Sequence, residues 1–97
     1  MRTDISEIVS TVQWKISLYD IETAIQEAFS VKFGESEVEY VDASEYPDSY
    51  GVDVWLKRPV DADVDNLVDQ LRKEFKKQLG IFVLVGVQQG KPVWKTK

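Results

Sequence analysis

The chain has 97 residues, 43% of them hydrophobic and 30% charged, with a net charge of −5 and neither cysteine nor histidine. That length holds one domain around one core, and the apolar fraction argues against disorder. The missing residue types exclude disulfides, thiol nucleophiles, zinc sites of the usual kind and imidazole acid–base chemistry.

No signal-peptide stretch and no apolar run of spanning length occurs, so a cytoplasmic protein with no membrane contact and no cofactor is the expectation. The charge is unevenly spread. Met1–Asp69 holds 16 acids against 5 bases, and Gln70–Lys97 holds 1 acid against 7 bases.

In chain order, the first segment reads two ways. Ile8, Val12, Trp14, Ile16 and Leu18 share one parity, which suits a strand with one wet face. Ile5, Ile8, Val9, Val12 and Ile16 also keep helical spacing, with Thr3 or Asp4 available as a cap. The β-branched residues favour the strand. From Leu18 to Val31 the pattern predicts a helix. Ser17 and Asp20 stand three apart as in a capping box, Leu18, Ile21, Ile25, Ala28 and Phe29 form one stripe, and Gly34 sits where a left-handed residue ends a helix.

Glu35–Asp42 and Val52–Lys57 alternate as strands do, and the loop between them, Ala43 to Gly51, is rich in turn formers. This predicts an antiparallel hairpin with a long acidic tip, on which Val52, Val54 and Leu56 face the helices and Asp53, Trp55 and Lys57 face out. Arg58-Pro59 ends the hairpin. Asp61 or Asp63 then caps a second helix with Val64, Leu67, Val68, Leu71, Phe75 and Leu79 on one side and Gly80 at its end. Ile81–Val87 is apolar on both parities, as a strand covered on both faces or in the middle of a sheet would be. Lys91–Lys95, containing Pro92, reads as a short edge strand.

The sum is a single α+β domain over residues 1–97: an antiparallel sheet of four or five strands with two amphipathic helices on one face. With the first segment as a strand, the order contains the ferredoxin-like series.

The chemistry-bearing patterns are few. Asp61-Ala62-Asp63-Val64-Asp65-Asn66 opens like a calcium loop, but Asn66 and Arg72 stand where that loop needs glycine and glutamate. Its carboxylates instead meet the positive end of a helix dipole, and Arg72, Lys73, Lys76 and Lys77 meet the negative end. Four cations on an otherwise acidic chain make a poor footprint for direct nucleic-acid binding. There is no glycine-rich phosphate loop and no nucleophile elbow, and no two carboxylates are singled out as an acid–base pair, so the expectation is a protein that is not an enzyme.

What stands out is the stretch between Phe33 and Leu56, which has no lysine or arginine and carries Glu35, Glu37, Glu39, Asp42, Glu45, Asp48 and Asp53. On a strand, Glu35, Glu37 and Glu39 would project from one face at about 6 to 7 Å intervals. Successive phosphates of one DNA strand have a through-space gap on the order of the same distance. Solubility and protection of an edge strand explain such acids equally simply, yet their mutual repulsion destabilises the fold unless an external cation relieves it.

In size and charge style the chain resembles the small acidic DNA-mimic inhibitors of phages and mobile elements, of the anti-restriction and anti-CRISPR kind. The resemblance rests on those seven acids with Tyr46 and Tyr50. It implies a basic nucleic-acid-binding protein or complex as partner, carboxylates in place of phosphates, and Tyr46, Tyr50 or Trp55 as apolar anchors. A ring covered by a loop or by the N-terminal segment is the competing reading of Trp55. The alternative function is a structural or regulatory module that pairs with a second copy through the Lys91–Lys95 edge, beside Trp94, leaving monomer or dimer open.

Overall fold

The computed structural model describes residues 5–10 and 17–92. Helix α1 spans Ile5–Val9 and helix α2 Leu18–Phe33; a 3-10 turn covers Glu35–Glu37; strands β1 and β2 run Val38–Glu45 and Tyr50–Leu56; helix α3 covers Ala62–Leu79, and strand β3 Val83–Gln89.

The helices begin and end where their caps dictate. Ser17 has extended backbone and its hydroxyl accepts from the Asp20 N–H at 3.1 Å, which satisfies one of the orphan donors of the first turn of α2. At the far end the Gly34 N–H donates to Ser30 O. Asp61 caps α3 in the same way, its carboxylate accepting from the Val64 N–H at 3.2 Å, and Gly80 closes that helix at φ 67°, a left-handed conformation that glycine adopts without a Cβ clash. Both sequence-derived helices are present, α2 two residues longer than its stripe predicted.

The sheet order is β1-β2-β3, with β2 in the centre. β1 pairs antiparallel with β2, so that Tyr40 lies opposite Trp55, Asp42 opposite Asp53, and Ser44 opposite Gly51. β3 pairs parallel with β2, with Gly51 beside Leu84, Asp53 beside Gly86, and Trp55 beside Gln88. On one face Val41, Val52, Val54, Leu56 and Val83 are buried against the helices. Ile21, Ile25 and Phe29 of α2 and Val64, Leu67, Leu71 and Phe75 of α3 fill the same core cluster. Ile8 and Val9 of α1 join it, and Gln78 of α3 ties that helix in by donating to Ser6 O at 2.9 Å.

This corrects the sequence-derived architecture at several points. Among the described residues the sheet has three strands rather than four or five, it is mixed rather than antiparallel, and there are three helices rather than two. The start of the ambiguous first segment is helical, since Ile5, Ile8 and Val9 use their helical spacing to reach the core; residues 11–16 lie outside the described residues, as does the predicted edge strand beyond Pro92. The ferredoxin-like order fails because that split arrangement separates the two strands of a β-α-β unit, whereas here β2 and β3 are direct neighbours. β3 is not a doubly covered central strand either: Val83 is buried but Leu84 is 57% exposed, so its two parities face different surroundings.

Candidate functional site

The hairpin that carries the acids is built differently from the strand its alternation suggested. Glu35, Ser36 and Glu37 form a 3-10 turn in which the Glu37 N–H donates to Gly34 O at 3.1 Å. Three carboxylates alternating with Ser36 and Val38 offer almost no apolar face to bury, so extended pairing begins only at Val38, the first hydrophobic residue after Gly34. A register shift between Val38 and Tyr40 then makes Glu39 the extra residue of a bulge. Its carboxylate is held by Lys57 at 3.5 Å and Lys91 at 4.0 Å. Glu35, Glu37 and Glu39 therefore do not line one strand face at phosphate spacing, and Glu39 already has its cations.

The remaining acids gather in two places. Val41 and Val54 point into the core, so their neighbours Asp42 and Asp53 share the opposite face of the sheet and oppose each other directly across the ladder. The Asp53 carboxylate leans over Gly86 of β3, with Oδ1 3.3 Å from where a Cβ would stand. Glu45 and Asp48 lie farther along, at the exposed tip. The predicted nine-residue loop contracts to Tyr46-Pro47-Asp48-Ser49, because Ala43–Glu45 and Tyr50–Gly51 pair as strand, and the Tyr46 N–H closes the turn onto Ser49 O at 2.8 Å. Among the described residues no ion pair involves Asp42, Glu45, Asp48 or Asp53.

The three aromatic candidates separate. Tyr46 is 55% exposed and its ring folds back over Gly51, with Cε2 2.6 Å from an ideal Cβ position there. Tyr50 is half-buried and packs against the core, and its N–H donates to Phe82 O at 2.8 Å, which fastens the hairpin tip to the α3–β3 turn. Trp55 is only 7% exposed, with its ring 6.0 Å from that of Tyr40, so it is a covered ring and not an accessible anchor.

Sequence reasoning missed Phe82 and Leu84, which are 54% and 57% exposed beside the tip. Reading Ile81–Val87 as buried on both faces hid them. Between the tip and the α3–β3 turn lies a cleft of about 290 Å³, lined by Glu45, Tyr46, Asp48, Tyr50, Ile81 and Phe82 among others.

The basic helix face is largely spoken for. Asp69 is gripped by Arg72 at 2.6 Å and Lys73 at 2.9 Å, and the Lys76 ammonium sits 4.4 Å above the Phe82 ring. No group of residues suited to hold a metal ion occurs among the described residues, and no described helix is long and apolar enough to cross a membrane. The chain matches no protein-family model and no curated protein sequence.

Proposed function

We propose that the chain is a non-enzymatic binding protein that presents its acidic hairpin to a basic nucleic-acid-binding protein and inhibits it by occupying the site where phosphates would lie. The observation that carries this reading is the set of four carboxylates, Asp42, Glu45, Asp48 and Asp53, on one hairpin with no cation paired to them among the described residues.

The even strand-face spacing expected of Glu35, Glu37 and Glu39 plays no part in it. In its place stands a cross-strand pair with Cβ atoms about 5 Å apart, continued by two acids at an exposed tip. Carboxylates opposed in this way repel each other, and a lysine- or arginine-lined groove relieves that repulsion while its field speeds encounter. The same reading places the protein in the cytoplasm with its partner.

The test is displacement. Labelled duplex DNA bound to proteins with basic nucleic-acid sites is titrated with the chain, and its release is followed by anisotropy as salt rises. Release should occur at low salt, fade as the screening length falls below about 8 Å, and vanish for the variant Asp42→Asn, Glu45→Gln, Asp48→Asn, Asp53→Asn. Equal displacement by wild type and variant discards this surface.

A further inference from the structure

The cleft at the hairpin tip combines two features that charge alone does not explain. It has aromatic walls, Tyr46 and Phe82, each more than half exposed, and carboxylates at its margin, Glu45 and Asp48. Large exposed rings lose the benefit of burial, and two of them converging on one hollow mark a surface that awaits an occupant. Two features of the backbone hold them there. Gly51 has no side chain, which leaves room for the Tyr46 ring to lie back on β2. The Tyr50 N–H bond to Phe82 O fastens the hairpin tip to the turn that carries Phe82. Phe82 also shows what its ring attracts, since the Lys76 ammonium already stands 4.4 Å from its centroid, and Lys76 itself is not among the residues lining the cleft.

We propose that this cleft takes the side chain of an arginine from a basic partner segment. The guanidinium would stack against Tyr46 and Phe82 and reach the carboxylates of Glu45 and Asp48. A planar, weakly hydrated guanidinium stacks flat on aromatic walls while its fork of N–H donors reaches two carboxylates at the rim, whereas a compact, strongly hydrated ammonium meets a ring only as a point charge and has no such fork. This rests on the basic-partner reading above and deepens it by naming the group that the tip recognises. Asp42 and Asp53, on the sheet face turned away from the helices, would meet the rest of the partner's positive surface.

The experiment is an NMR titration of the 15N-labelled full chain with acetyl-Gly-Arg-Gly-amide, repeated with citrulline in place of arginine. Citrulline keeps the shape and loses the charge. Amide shifts should concentrate at Tyr46, Ser49, Gly80 and Phe82, be absent with citrulline, and fall at least fivefold in apparent affinity for Phe82→Ala and for Asp48→Asn. Both residues are exposed, and the dispersion of the same spectra reports whether each variant is folded. Shifts centred on Asp42 and Asp53 that leave Tyr46 and Phe82 untouched overturn the cleft while leaving a diffuse basic-partner surface standing. No shift anywhere with the arginine peptide also overturns the cleft, and the DNA-displacement assay then decides separately whether the wider reading survives. Equal shifts from arginine and citrulline peptides overturn the cationic assignment.

Discussion

Asp42 and Asp53 stand directly opposite each other in the β1–β2 ladder, two carboxylates on one sheet face with Gly86 as the next residue across. Like charges so placed destabilise a sheet, on the scale of the roughly 0.2 to 1 kcal/mol that a favourable cross-strand pair contributes. Replacing one of them, Asp53→Asn, should therefore raise the urea midpoint without changing the denaturant slope. Added salt should stabilise the wild type more than this variant, because it screens a repulsion the variant lacks. If the same substitution weakens displacement of DNA, the pair trades stability for binding. A wild type that gains no more from salt than Asp53→Asn would show that the two carboxylates do not feel each other.

The core predicts the opposite sign. Phe29 and Phe75 are fully buried, one on each long helix, and both belong to the single cluster that the sheet closes. Truncating either to alanine removes its transfer free energy and leaves a cavity, at a cost of about 3 to 5 kcal/mol. A domain of this size has about 5 to 15 kcal/mol in total. Phe75→Ala should thus lower the urea midpoint by a large fraction of its wild-type value, whereas Tyr19→Ala, at an exposed position of α2, should leave it nearly unchanged.

What was legible in the sequence follows from how local each signal is. The two long helices announce themselves because Ser17, Asp61, Gly34 and Gly80 act on their own neighbours, and because the buried stripes are dictated by helical period alone. The parity of β2 is legible for the same reason, Val52, Val54 and Leu56 being buried as their alternation requires. The position of β3 is not. Val83, Leu84, Val85 and Val87 are all apolar, and only the parallel pairing through α3 decides that Leu84 faces away from the helices. The acidic site failed in a different way: alternation in Glu35–Glu39 has the period of a strand but no hydrophobic face, so the chain turns there instead. Lys91, which helps to hold Glu39, is 52 positions away and invisible to any local pattern.

Acid should loosen the start of α3. The Asp61 carboxyl is held below its ordinary value of 3.8, first by the hydrogen bond it accepts from the Val64 N–H and then by Arg58 at 2.8 Å, which together outweigh the opposing effect of desolvation. Asp69 is lowered too, by the hydrogen bonds and charges of Lys73 and Arg72. Because both folded values are depressed, their stabilising contribution is fully present above pH 3.8 and disappears as pH falls through the lower folded values. Thermal melts across this window should show stability declining with acid. In Asp61→Asn, whose amide still accepts the Val64 N–H but never titrates, the decline should be shallower. Parallel declines in the two proteins would place the acid sensitivity elsewhere.

Gly51 and Gly80 separate two uses of a missing side chain. At Gly80 the backbone itself is left-handed, φ 67°, with open space around it, so Gly80→Ala should cost about 1 kcal/mol through conformation alone. At Gly51 the backbone is ordinary strand, which alanine prefers to glycine by about 0.5 to 1 kcal/mol. The obstacle there is the Tyr46 ring, whose Cε2 would meet the new Cβ at 2.6 Å. That ring is the far end of a flexible side chain at an exposed tip, so it should swing away rather than break the strand. Gly51→Ala is therefore expected to change stability by less than about 1 kcal/mol in either direction, while the Tyr46 ring resonances move and arginine-peptide affinity falls. A destabilisation of several kcal/mol would mean that Tyr46 holds the tip together, and unmoved ring signals would mean that it never lay over Gly51.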